Sequence, residues 1–87
     1  MTREYKIRFY DGDAQYSETA TAQWDVDTSI CDFLAEQLYI LWELTPIERD
    51  WQRQFCTNGW ALFSYCHEIF QLSYDWDNSC VVYVQKI

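Results

Sequence analysis

Hydrophobic residues change their spacing twice along this chain, and that change limits the folds it can adopt. Near the N-terminus they alternate with polar residues at Tyr5, Ile7 and Phe9, the pattern of a strand with one buried face. The turn sequence Asp11-Gly12-Asp13 follows, and the alternation resumes between residues 19 and 27. Two such strands joined by a loop of several residues predict an N-terminal β-hairpin.

The spacing becomes helical after residue 27. Asp27, Thr28 or Ser29 can cap the first turn, and Asp32 lies where the helix dipole favours a negative charge. The stretch therefore predicts one long helix. Its apolar stripe consists of Ile30, Phe33, Leu34, Leu38 and Leu41.

A capping box predicts a second, shorter helix. Thr45 is the N-cap, Pro46 occupies the first helical position and Glu48 is the third residue of the helix. Asn58-Gly59 is the expected stop. The inward residues are predicted to be Ile47, Trp51 and Phe55. The same Asn-Gly pair is also typical of a hairpin turn, and the capping box favours the helix.

The last third of the chain predicts strands. Alternation is clear from Phe70 to Trp76, and the sequence CVVYVQKI from Cys80 to Ile87 is typical of a β-branched closing strand. Residues 60–67 satisfy neither period. We therefore expect one α+β domain over residues 1–87, a small antiparallel sheet packed against one long and one short helix in the order ββαα(β)ββ.

The hairpin followed by the helical sequence DTSICDFLAEQL resembles the beginning of ubiquitin-like β-grasp domains. The resemblance covers about the first 40 residues. It departs from that family in the additional capped helix and in lacking a C-terminal Gly-Gly pair. It implies a β-grasp-like alternative for the fold and nothing about function.

The net charge of the chain indicates which classes of partner are favoured. Acidic residues number 14 and basic residues 6, a formal net charge of -8, which repels phosphate backbones and anionic membranes. Direct binding to nucleic acid or membrane is therefore disfavoured, whereas encounter with a basic protein surface is favoured. The alternative is that the charge only keeps an aromatic-rich protein soluble. The N-terminus has no apolar signal region, so we expect a cytoplasmic protein.

Residues that could carry catalysis are few. The cysteines at 31, 56, 66 and 80 form no C-x-x-C pair, and Cys66 and His67 are neighbours whose side chains diverge on a strand or a helix. Zinc held by Cys56, Cys66, His67 and Cys80 lacks the paired close spacing of convincing sites. We expect no enzyme activity, cofactor or metal.

Three D-x-D pairs are candidates for an acidic binding face: Asp11 and Asp13, Asp25 and Asp27, and Asp75 and Asp77. In a strand, the two carboxylates of such a pair lie on one face about 6.6 Å apart. That distance is close to two phosphate steps of about 3.4 Å on a nucleic-acid strand. The simpler interpretation is that aspartate favours strand ends and turns for its local hydrogen bonds.

A second candidate surface is aromatic. Tyr39 and Trp42 lie off the helical stripe with Glu36 and Glu43 nearby, a combination that is typical of protein-binding hot spots. The same rings could form a homodimer contact or a second wall of the core.

Small size, acidity and many aromatics resemble, at the level of a class, the small acidic inhibitor proteins that phages use against CRISPR or restriction systems. No motif defines that class. The resemblance implies a DNA mimic that docks on a nucleic-acid-binding surface of a larger protein and blocks it. One alternative is a generic interaction or assembly module, including a homodimer, that binds through exposed aromatics. A second is a small enzyme or metal protein that uses Cys66, His67 or an aspartate pair.

Overall fold

A computed structural model describes residues 1–10, 17–74 and 80–87. These residues form strands and helices in the order ββαβαβββ. The elements are β1 (Thr2–Tyr10), β2 (Ser17–Asp25), α1 (Ile30–Trp42), β3 (Thr45–Pro46), α2 (Trp51–Asn58), β4 (Trp60–Tyr65), β5 (Glu68–Tyr74) and β6 (Val81–Lys86).

The strands form one mixed sheet in the order β2-β1-β6-β5-β4-β3. Neighbouring strands are antiparallel except for β1 and β6, which run parallel. The predicted α+β class, with one long and one short helix, is confirmed. The predicted all-antiparallel sheet is wrong, because three successive reversals from β3 to β6 bring the last strand into line with the first. The β-grasp-like alternative stays a prediction.

Alternate residues of the strands face the helices and form the core. Tyr5, Ile7 and Phe9 are buried while Lys6 and Arg8 are exposed, as the period-two pattern predicts. Burying one large apolar side chain contributes about 1.5–3 kcal/mol, so a continuous cluster of this kind dominates the stability of so small a chain. Within the described ranges the cluster also includes Phe33, Leu34, Leu38, Leu44, Trp51, Phe55, Phe63, Phe70, Leu72, Val82 and Val84.

Both ends of α1 have identifiable caps. The Ser29 hydroxyl accepts a hydrogen bond from the backbone N–H of Asp32 at 3.4 Å, which confirms one of the predicted caps. At the other end Glu43 adopts a left-handed backbone with φ 56°, and its N–H donates to the carbonyl of Tyr39 at 2.8 Å. The next residue, Leu44, is then buried in the core.

The apolar stripe of α1 differs from the prediction at its last member. Leu34 and Leu38 are fully buried, and the ridge continues four residues on to Trp42, which is half-buried. Leu41 is 38% exposed. Leu41 and Trp42 are three and four residues after Leu38, and both spacings are compatible with a helical stripe. Trp42 is the one that faces the core, because its ring stacks on Phe9.

The predicted capping box does not form. Thr45 and Pro46 pair with Ser64 and Phe63 of β4 at the edge of the sheet. An edge strand tolerates proline because no further strand needs its missing N–H. Helix α2 begins only at Trp51, after Asp50, so Ile47 is exposed rather than inward, whereas Trp51 and Phe55 are buried as predicted.

The Asn58-Gly59 stop is confirmed. Gly59 has φ 82°, its N–H donates to the carbonyl of Phe55 at 2.8 Å, and its carbonyl accepts from the N–H of Tyr74 at 3.0 Å. Residues 60–67 resolve into β4, with Ala61 and Phe63 buried, and a two-residue turn to β5. Both turn residues, Cys66 and His67, have positive φ.

No helix within the described ranges is long and apolar enough to cross a membrane.

We expect Gly59→Ala to lower the free energy of unfolding by about 1–2 kcal/mol, because the left-handed backbone at Gly59 is costly for any residue with a Cβ. Chemical denaturation of the purified protein measures this change. Asn58→Ala, at the exposed last helical residue before it, is the control and should stay within about 0.5 kcal/mol of the parent. Equal losses in both variants would show that the backbone of Gly59 is not the cause.

Candidate functional site

Charge is unevenly distributed between the helices and the strands. Residues 25–58, which contain both helices, carry seven acidic residues against two arginines, a formal charge of -5. The other described residues carry three acidic and four basic residues, a formal charge of +1. Asp11, Asp13, Asp75 and Asp77, which lie outside the described residues, bring the formal charge of everything outside residues 25–58 to -3, so residues 25–58 carry -5 of the total of -8.

Asp25 and Asp27 are both exposed, but they do not form the predicted pair on a strand face. Strand β2 ends at Asp25, whose carboxylate oxygen Oδ1 accepts the N–H of Asp27 at 3.0 Å. The Asp25 carbonyl also accepts the N–H and the hydroxyl of Thr28, at 2.9 and 2.7 Å. The pair thus forms a turn stabilised by local hydrogen bonds, and the strand spacing of two phosphate steps does not apply to it.

Helix α1 adds two more exposed carboxylates after this turn. Asp32 and Glu36 are exposed and one helical turn apart, and the Asp32 carboxylate accepts a hydrogen bond from the Gln52 side chain of α2 at 3.3 Å. We call Asp25, Asp27, Asp32 and Glu36 the acidic helix face. Asp32 was not among the binding residues predicted from the sequence, although its spacing from Glu36 already indicates a shared face.

The remaining predicted carboxylates, Asp11, Asp13, Asp75 and Asp77, lie outside the described residues. Their part in an acidic face stays a prediction.

A cleft of about 350 Å³ opens at the C-terminal end of α1. Its size is at the lower end of the range for ligand pockets, about 300–1,000 Å³. We call it the aromatic cleft, and it is lined by Phe9, Leu41, Trp42, Glu43, Leu44, Tyr65 and Phe70.

The cleft contains half of the predicted aromatic patch. Trp42 stacks on Phe9 with ring centroids 4.7 Å apart, so it is half-buried and not free on the surface as predicted. Glu43 is exposed and lines the cleft. Tyr39, which is 59% exposed, and Glu36 are on the surface of α1 but not among the residues that line the cleft.

Glu43 acts electrostatically on Tyr65, which lines the same cleft. A hydrogen bond with the Cys66 side chain raises the pKa of Tyr65, as does the charge that Cys66 can carry, and the negative charge of Glu43 adds to the shift. Tyr65 is 42% exposed. Sequence patterns did not indicate Tyr65, because its place in the cleft depends on the turn between β4 and β5.

Two cysteines from different helices lie close together. The Sγ atoms of Cys31 and Cys56 are 3.9 Å apart, with Cys31 buried and Cys56 exposed. Burial, together with the neighbouring Cys56, raises the pKa of the Cys31 thiol to about 12. Cys66 and His67 lie apart from them in the exposed β4–β5 turn. Within the described ranges no three ligating residues are grouped so as to hold a metal ion.

No protein-family model, curated protein or solved structure matches this chain.

We expect Glu43→Gly to raise the free energy of unfolding by up to about 1 kcal/mol. Glycine adopts the left-handed backbone of this helix end without the Cβ clash, and the greater entropy of the unfolded chain offsets part of the gain. Thermal and chemical denaturation measure the change. Glu43→Ala, which keeps the clash and loses the carboxylate, should show no such gain; a gain in both would assign the effect to charge.

Stability should fall between pH 9 and 10 because of Cys31. Its thiol keeps its proton in the folded protein up to a pKa of about 12, whereas the unfolded chain releases it from 9.0, so alkaline pH favours unfolding. The slope approaches about 1.4 kcal/mol per pH unit at most. Denaturation across this range should show a flatter profile for Cys31→Ala, and an unchanged one for the exposed control Cys66→Ala. An equal slope in all three proteins would contradict the assignment.

Proposed function

We propose that this protein is a non-enzymatic binding protein that docks through its acidic helix face on a basic, nucleic-acid-binding surface of a larger protein and blocks it. This is the action implied by its class-level resemblance to the small acidic inhibitors that phages direct against CRISPR or restriction systems. The partner is a protein, neither nucleic acid nor membrane is bound directly, and a cytoplasmic location belongs to the same proposal.

The observation that supports the proposal most is the uneven distribution of charge. A charge that served solubility alone would need no preferred segment, yet residues 25–58, which are 34 of the 87 residues, hold -5 of the formal charge of -8. Carboxylates concentrated in one part of a fold produce a directional field, which speeds encounter with a basic surface and orients the approach.

The geometry of the acidic helix face suits a rigid docking surface. The turn at Asp25 is held by its own hydrogen bonds, and Asp32 is joined to α2 through Gln52. Carboxylates fixed in this way lose little conformational freedom on binding, so more of the electrostatic attraction remains as affinity. The partner's own nucleic acid would then be excluded by occupancy and by like charge, without turnover.

Exposed apolar residues favour a second candidate, an interaction or assembly module that is open to homodimerisation. Tyr39 and Ile40 are 59% and 63% exposed at the end of α1, beside the aromatic cleft. In this alternative the rings carry the binding energy, and the net charge serves solubility only.

Salt dependence separates the two candidates. The tagged protein is used to capture partners from a lysate of its native host at about 50 mM and 500 mM salt, and bound proteins are identified by mass spectrometry. An electrostatic interface should lose most of its affinity over this range, because the Debye length shortens from more than 10 Å to less than about 5 Å. An aromatic interface, or self-association measured by light scattering, should persist.

Two charge-matched variants test the acidic helix face. Asp32→Asn with Glu36→Gln removes two charges from it, and Glu4→Gln with Glu18→Gln removes two from exposed positions on β1 and β2. We expect the first variant to weaken binding to the captured partner at least about tenfold and to restore that partner's nucleic-acid binding. The second should change binding less than about threefold. Equal effects would point to net charge alone, and a partner with no nucleic-acid-binding activity would overturn the proposal.

A further inference from the structure

We propose that the aromatic cleft is a binding site for one arginine side chain, supplied by the basic surface of the partner. The inference rests on the proposed function and deepens it, since it names the group of the partner that anchors the complex at the C-terminal end of α1. Its experiment uses no partner protein, so either proposal can fail without the other.

The walls of the cleft match the stem of an arginine side chain. Leu41, Leu44 and Phe70 supply apolar surface, and Leu41 is 38% exposed at the mouth. Arginine and lysine bury their aliphatic stems on such surface and keep the charged head at the rim. A purely apolar ligand would leave the charge at the rim unused.

The rim of the cleft matches the charged head. Trp42 and Tyr65 provide aromatic rings, and a guanidinium group stacks on such rings more readily than an ammonium group does. Glu43 supplies the carboxylate, and no ion pair is formed by it among the described residues. Its charge also contributes to the raised pKa of Tyr65, which lines the same cleft.

Other charged groups near the cleft do not oppose a cation. Glu68 is opposite Tyr65 in the register of β4 and β5, and Lys86 is opposite Phe70. Lys86 and Glu68 form a salt bridge of 3.0 Å with each other. The nearby positive charge is therefore neutralised, while Glu43 remains for a ligand.

Titration with N-acetyl-arginine amide, followed by the backbone and indole N–H signals of the folded protein in NMR spectra, tests the site. N-acetyl-citrulline amide is the matched control, because it has the same shape without the charge. We expect saturable shifts at Trp42, Glu43 and Tyr65 with the arginine probe, and at least about threefold weaker binding of the citrulline probe.

Variants then assign the interaction. Glu43→Gln should weaken binding of the arginine probe about threefold to tenfold, whereas Glu4→Gln, which neutralises an exposed carboxylate on β1 outside the cleft, should leave it unchanged. Tyr65→Leu tests the aromatic wall and should also weaken it. Absence of saturable shifts, equal binding of citrulline, or equal losses in the two glutamate variants would each overturn the proposal.

Discussion

The parallel pairing of β1 with β6 brings the first and last strands together near the centre of the sheet, and the other strands are arranged around it. Ile7 and Val82 are opposite each other in this pair, and both are completely buried. On one side β1 pairs with β2, and on the other side β6 pairs with β5, which is followed by β4 and β3 in antiparallel order. A slip of one residue would turn Arg8 and Tyr83 toward the helices, so burial of Ile7 and Val82 fixes the register of this central strand pair.

Local patterns were enough to predict the elements whose signals lie within a few residues. The hairpin strands, α1 with its Ser29 cap and the end of α2 at Gly59 follow from periodicity and capping chemistry. Pairing between distant residues was not predictable in the same way. Strand β3 forms because Thr45 pairs with Ser64, which is distant in the sequence. The residues around Thr45 also match the sequence pattern of a capping box, and no local pattern indicated a strand instead. The parallel direction of β6 has the same long-range origin.

The turn between β4 and β5 was missed for a different reason. Hairpin turns with two residues of positive φ favour asparagine and glycine, and here they are Cys66 and His67. The flanking strands offset the free-energy cost of this backbone, because Phe63 and Phe70 pair with each other and are buried in the core. The turn places Tyr65 at the aromatic cleft. Because the turn lacks the usual asparagine and glycine, this part of the candidate site was not predicted either. The exposed position of Asp25 and Asp27 was predicted, and their local hydrogen bonds agree with the simpler interpretation that such aspartates belong to strand ends and turns.

Glu43 is where the needs of the fold and those of the proposed function differ. The helix must end there in a left-handed backbone so that Leu44 can enter the core, and glycine meets that need best. A glutamate in the same conformation costs about 1–2 kcal/mol. Such backbone outliers concentrate at functional sites, where the surrounding structure holds them in place. Here the strained residue places a carboxylate at the rim of the aromatic cleft, beside Trp42 and Tyr65. A role in binding a cation gives that cost a physical reason which the fold alone does not supply.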